Sequence, residues 1–174
     1  VGCAYDPETK LGPVVSAKHK QSVCSWIQKG IDEGAELVLD GRDYVVPGFE
    51  NGFFVGPTIL DRVTPEMTVG QREIFGPVTL IKRVKDFDEG IAVMNANPFA
   101  NGSAIFTQNG YYARQFELLT DGGMVGINVG IPVPSAYFPF SGNKDSFFGD
   151  QHVLGLDGVR FYTRAKTVTK HWYD

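Results

Sequence analysis

Val78-Thr79-Leu80-Ile81-Lys82-Arg83-Val84, Ser103-Ala104-Ile105-Phe106-Thr107 and Met124-Val125-Gly126-Ile127-Asn128-Val129 are three β-rich runs whose spacing decides the fold. Between the first two, Asp86-Phe87-Asp88-Glu89 forms a capping box. Asp86 can accept from the third helical N–H while Glu89 reaches back. Phe87, Ile91 and Met94 then share a helical face until Asn97-Pro98, where proline removes a donor and turns its predecessor out of helical geometry. A second helix after Asn109-Gly110 directs Tyr112, Phe116 and Leu119 toward the strands, and Gly122-Gly123 ends it. Nearly continuous apolar strands joined by helical crossovers imply a largely parallel α/β sheet flanked by helices. Right-handed crossovers put both helices on one face or on opposite faces, depending on strand order, which the sequence leaves open.

Upstream, Ser16 caps a helix over Ala17 to Gly34, with Val23, Trp26, Ile27, Gly30 and Ile31 along one face. Leu37-Val38-Leu39 and Phe53-Phe54-Val55 are short β-type runs around turn signals at Asp40-Gly41 and Pro47-Gly48, which reads as a surface hairpin or an insertion, and the low apolar density argues against a core role. Downstream, Ile131-Pro132-Val133-Pro134 cannot continue a central strand. The following loop gathers Tyr137, Phe138, Phe140, Phe147 and Phe148, either as an aromatic pocket wall or as a cover for the sheet edge. A turn is expected around Gly155-Leu156-Asp157-Gly158.

Composition narrows the function classes. With 43% apolar and 21% charged residues, 174 residues can bury one sizeable core. The net charge of -4, without a dense basic cluster, removes the phosphate-neutralising surface that nucleic-acid binding needs. No apolar run reaches the ~18 residues of a membrane span, and Val1-Gly2-Cys3 does not open a secretory signal, so a soluble, intracellular protein is expected. The start at Val1 rather than Met suggests a piece of something longer.

Cys3 and Cys24 fit neither a disulfide framework nor a metal spacing. Cys24 reads as a small filler beside the apolar face of its helix, and neither cysteine has the setting of a nucleophile. No metal site is expected. His19, His152 and His171 are scattered and read as surface or packing residues.

Glu73-Ile74-Phe75-Gly76-Pro77-Val78 reproduces the E-I-F-G-P-V motif of aldehyde dehydrogenases immediately before a strand. Phe54-Val55-Gly56-Pro57-Thr58, Asn101-Gly102-Ser103-Ala104-Ile105-Phe106-Thr107 and Lys166-Thr167-Val168-Thr169 accompany it in order, so the resemblance spans nearly the whole chain. The loop Pro139-Phe140-Ser141-Gly142-Asn143-Lys144-Asp145-Ser146-Phe147-Phe148-Gly149-Asp150 is similar to the methylmalonate-semialdehyde dehydrogenase variant, as are the Ile131–Pro134 run and Gly158-Val159-Arg160-Phe161-Tyr162-Thr163. Gly130 departs from it, because that group usually has proline there.

The resemblance implies the C-terminal part of a catalytic domain over residues 1–174, with an oligomerisation strand at 166–172. It implies NAD as cofactor, CoA as co-substrate, a malonate- or methylmalonate-semialdehyde substrate, a homo-oligomer (dimer or tetramer), and a bacterial cytoplasmic or mitochondrial-matrix location. Glu73 would accept hydrogen bonds from the nicotinamide-ribose hydroxyls, with Phe75 packed near the nicotinamide. Phe140 and Asn128 would face the substrate. No catalytic residue is expected in this chain, because the family's nucleophilic cysteine segment belongs upstream of Val1. Two other classes remain: a non-catalytic assembly module that keeps only the fold, and an unrelated α/β nucleotide-binding domain.

Overall fold

The computed structural model describes residues 1–173 and divides into two compact units, Val1–Val84 and Lys85 onward. In the first unit, helix α1 (Ala17–Asp32) begins at Ser16, whose hydroxyl accepts from the His19 N–H at 3.1 Å. It ends where Ala35 N–H reaches Gly30 C=O and Gly34 N–H reaches Ile31 C=O, with Gly34 at φ +104°. This paired closure satisfies carbonyls that the helix end would leave bare. Strand β1 (Glu36–Leu39) pairs antiparallel with β2 (Thr58–Asp61), which pairs parallel with β3 (Val78–Leu80). A single-turn helix α2 (Thr68–Gln71) lies between β2 and β3 in sequence.

The core of this unit is α1 packed on the sheet and α2: Val23 and Ile27 meet Leu60, Val63 and Val69, all buried. Two sequence expectations fail here. The partner of β1 is Thr58–Asp61, not Phe53–Val55, and the supposed surface stretch sends Val46, Phe54 and Val55 into the interior. Average apolar density misjudged it because a few anchors suffice to tie a long loop to a core.

In the second unit, helix α3 (Phe87–Asn95) starts at the predicted cap, with Glu89 N–H donating to Asp86 Oδ1 at 2.9 Å. Glu89 does reach back, but to the Lys85 N–H. Strand β4 (Phe99–Ala100) is followed by β5 (Gly102–Ile105), helix α4 (Gly110–Leu119) and β6 (Met124–Ile127). The pair β5–β6 is parallel, whereas β4 pairs antiparallel with the short β7 (Asn143–Lys144).

The chain is therefore α/β, with parallel pairing at β2–β3 and β5–β6. The three runs expected in one sheet are distributed over two, since β3 takes β2 as its parallel partner. Of the three α4 side chains expected to turn inward only Phe116 is buried, and Tyr112 and Leu119 are exposed. The expected turn at Gly155–Gly158 is the first part of helix α5 (Gly155–Tyr162). Beyond it, Lys166–Trp172 forms no helix or strand and stays exposed, because a strand needs a partner for its hydrogen bonds. No helix among the described residues is long and apolar enough to cross a membrane.

Candidate functional site

Glu73, Ile74 and Phe75 lie on the loop between α2 and β3, and burial alternates along them. Ile74 enters the core, while Glu73 and Phe75 point out. The mounting of this loop is local and specific. Glu33, at the end of α1, accepts from the Thr68 N–H at 2.7 Å and from its hydroxyl, supplying the cap that Met67 lacks and fixing α2. Those bonds, led by the Thr68 hydroxyl, hold the Glu33 carboxyl below its usual range.

Four residues after α2, Phe75 adopts φ +61°, a left-handed conformation that costs a residue with a Cβ about 1–2 kcal/mol. Two contacts with α1 hold it there. His19 Nε2 lies 2.8 Å from the Phe75 carbonyl oxygen, and a Cβ on Gly76 would meet Val23 Cγ2 at 2.7 Å, so Gly76 rests directly on the helix. His19 and Val23 are four residues apart, one turn along the same face. The imidazole also meets the Phe75 ring edge-on, at 6.5 Å between centroids. At the other end of β2 from this loop, Asp61 is buried and accepts from Arg83 Nε at 3.1 Å and from the Arg62 N–H at 2.6 Å, and the Arg83 guanidinium does most to hold its carboxyl below the usual value.

Glu73 makes no ion pair or hydrogen bond among the described residues, and Phe75 is 75% exposed. The pair offers an acceptor-only carboxylate and a flat apolar face on a rigid mount. That is a fit for a ligand carrying vicinal hydroxyls and a planar ring.

The second unit carries the other two predicted residues. Asn128 follows β6 at φ +57°, a conformation that asparagine tolerates. Its amide is already engaged, with Oδ1 accepting from the Thr107 N–H at 2.8 Å and Nδ2 donating to Thr107 C=O at 3.0 Å. Asn128 thus ties together the carboxyl ends of β5 and β6. Phe140 is half-buried and bridges to Val153, its N–H 2.9 Å from that carbonyl. His152 reinforces the bridge, with Nε2 3.2 Å from Gly142 C=O and Nδ1 3.4 Å from Asp157 Oδ2. Lys144 pins the same loop by donating to Asn95 C=O at 2.6 Å and pairing with Asp121 at 2.6 Å.

Gly142 lies so close to Gly123, at the start of β6, that a Cβ on Gly123 would stand 2.7 Å from it. The Phe140 loop and Asn128 therefore attach at opposite ends of β6, five residues or roughly 16 Å apart along the strand. Tyr137 and Phe148 are 88% and 96% exposed, so these two rings cover no sheet edge of the chain.

Cys24 is half-buried and lines an open cleft of about 450 Å³ with Gln28, Arg42 and Asp43. His19 and His152, read from sequence as surface or packing residues, both hold site loops. Nothing local could reveal this, since their partners lie 56 and 10 residues away.

The model of the aldehyde dehydrogenase family matches residues 1–168. The chain is similar, at 51% identity over its whole length and 29% of the relative's, to the mitochondrial acylating methylmalonate-semialdehyde dehydrogenase of Arabidopsis thaliana. Malonate-semialdehyde dehydrogenase 2 of Bacillus thuringiensis (strain Al Hakam) is 51% identical over 99% of the chain and 35% of that protein. Among solved structures, a protein of Sinorhizobium meliloti 1021 assigned as a methylmalonate-semialdehyde dehydrogenase, in complex with NAD, superposes with a TM-score of 0.94 at 44% identity, over 98% of the chain and 35% of its own. The chain thus spans about a third of the length of these relatives.

Proposed function

The chain belongs to the aldehyde dehydrogenase family, and from that premise we propose that it forms the cofactor-facing and substrate-facing part of an NAD-dependent, CoA-acylating malonate- or methylmalonate-semialdehyde dehydrogenase. The observation that carries the reading is the clamped loop on which Glu73 and Phe75 project either side of buried Ile74. Glu73 has free acceptor capacity for two ribose hydroxyls, and Phe75 offers its face to the ring beside them. NAD, when bound, supplies the hydride acceptor. The loop's work is orientation: it fixes the ribose and so the position at which hydride arrives.

The carbon chemistry needs a thiolate that adds to the aldehyde carbon; the thiohemiacetal so formed gives up hydride from that carbon to leave a thioester, the acyl unit loses its carboxylate as carbon dioxide, and the CoA thiol takes the acyl group and releases the thiolate. We assign that thiolate to the part of the relatives' length that this chain does not span. Phe140 contributes an aromatic wall to the substrate channel. Asn128, with its amide spent on Thr107, shapes the strand end beside that channel and makes no polar substrate contact of its own. Location follows the source, cytoplasmic in a bacterium and matrix in a mitochondriate cell.

The test is Glu73→Gln in the natural polypeptide that carries this chain. Rapid-mixing kinetics should show a slower burst of reduced nicotinamide, with alkylation of the active thiol nearly unchanged. An unchanged burst together with a lost thiol reactivity would contradict the assignment. The exposed Lys166–Trp172 segment, which forms no helix or strand, favours an assembly role for this end of the chain beside the enzymatic one. That role is compatible with the first and is tested separately.

A further inference from the structure

We propose that His19 is a positioning residue for the cofactor loop, acting through the backbone of Phe75 and not through contact with the ligand. The inference rests on the assignment of Glu73 and Phe75 to NAD and extends it to a residue on a different element.

Three observations converge on His19. Phe75 holds a left-handed backbone that a residue with a Cβ adopts only when its surroundings impose it. The imposing contact on the carbonyl side is His19 Nε2 at 2.8 Å, donating N–H to an oxygen that cannot donate in return. That choice places the proton on Nε2 in the neutral ring. The imidazole is itself placed, because His19 sits in the first turn of α1 and its own N–H is held by the capping Ser16 hydroxyl at 3.1 Å. Its ring also abuts the Phe75 ring edge-on. Without the donor, the carbonyl of Phe75 is free to rotate toward water and the residue can relax to negative φ. Such a rotation swings the Phe75 ring away from its present direction and from Glu73, which stays on the other side of the buried Ile74.

A donor at this place thus converts a loop that could hold several conformations into one that presents carboxylate and ring together. In binding terms the loop is pre-organised, and loss of the donor acts as a tax on the competent fraction. The burial of Ile74 and the seat of Gly76 on Val23 are independent of His19, so the unit keeps its core when the donor is removed.

The experiment compares His19→Leu, which removes the donor at similar volume, with His19→Gln, whose side-chain amide can donate to the same carbonyl. Both are made in the natural polypeptide that carries this chain, beside Glu73→Gln. The readouts are NAD affinity by protein-fluorescence quenching, the KM for NAD against kcat, and the thermal midpoint. His19→Leu is expected to weaken NAD binding and raise its KM roughly three- to tenfold, the worth of one net hydrogen bond. His19→Gln should return both to within about twofold, with thermal midpoints of the two variants alike. Normal NAD parameters in His19→Leu, with Glu73→Gln impaired, overturn the role of His19 alone. Normal parameters in both variants overturn the cofactor reading of the loop. A loss of thermal stability that tracks the loss of affinity in both His19 variants also overturns the proposal, because a merely structural histidine would behave so.

Discussion

Phe75 provides a direct measurement of the strain on which the site reading depends. Glycine usually destabilises relative to alanine, since it frees the unfolded chain by about 0.4–1 kcal/mol. At φ +61° the order should invert. Alanine there pays about 1–2 kcal/mol for its Cβ, and glycine pays nothing. Phe75→Gly and Phe75→Ala lose the same ring and the same edge contact with His19, so those terms cancel between them. The difference leaves Phe75→Gly more stable than Phe75→Ala by up to about 1.6 kcal/mol, and by about 0.8 kcal/mol at the centre of the two ranges, or roughly 2–3 °C in thermal midpoint for a chain of this size. Trp26, partly buried against the core of the first unit, is a suitable fluorescence probe for urea titrations. The slope with urea should be equal in the two variants if only stability differs. Equal midpoints, or alanine the more stable of the two, would refute the left-handed assignment and with it the argument that His19 is needed to hold this loop.

Asp61 gives a pH test. Its folded pKa lies below the ordinary carboxylate value of about 4, chiefly through Arg83 and next through the Arg62 N–H, so its ionised form favours the native state. That contribution is complete above the unfolded value and is lost as pH falls through the folded one, and Asp61→Asn should flatten the loss of stability below about pH 4 in acid titrations followed by circular dichroism. A purified 174-residue chain given semialdehyde, NAD and CoA should produce no change in nicotinamide absorbance, and turnover abolished by Cys24→Ser or Cys3→Ser would show that a thiol of this chain is the nucleophile. Removing the residues after Ala165 from the natural polypeptide should reduce its mass by light scattering, because we expect Lys166–Trp172 to pair with a second subunit; an assembly of unchanged size would count against that pairing.

What the sequence made legible follows the range of the interaction. The ends of α1 and α3 were readable at Ser16 and Asp86, because a capping side chain bonds within a few residues of itself. The parallel relation of β5 and β6 was readable from a crossover that cannot form an antiparallel hairpin. The partner of β3 was not, since its choice of Thr58–Asp61 is made by packing under α1, where Leu60 meets Val23 and Ile27. Glu73 and Phe75 were found through a hexapeptide motif, yet the devices that aim them were invisible. Glu33, His19 and Val23 lie on α1 or at its end, 35 or more residues before the groups they hold, and nothing in their spacing refers to that loop. Asn128 was selected for its place at a strand end, and the same place explains why its amide is consumed by Thr107.

The packing of the second unit bears on why the proposed site is a partial one. After Val84 the buried apolar side chains are Ala100, Phe116 and Met124, whereas most of the large apolar residues there are exposed. A two-stranded parallel ladder gains most of its stability when both faces are covered, and β5–β6 leaves Val125 and the following Ile131 open. Phe106, Ile131, Tyr137, Phe138 and Phe148 are 70%, 76%, 88%, 63% and 96% exposed, together on the order of 700 Å² of apolar and aromatic surface. Covering even half of it would contribute on the order of 9 kcal/mol, comparable with the whole net stability of an ordinary domain. Large apolar side chains left open in this number call for cover by another body. In the proposed enzyme the remaining two-thirds of the relatives' length is available as that cover, and Tyr137, Phe138 and Phe148 lie on the same stretch as Phe140, which is assigned to the substrate channel. The same contact that supplies the nucleophile would then complete the fold of this unit, so catalytic competence and the stability of the second unit should appear together.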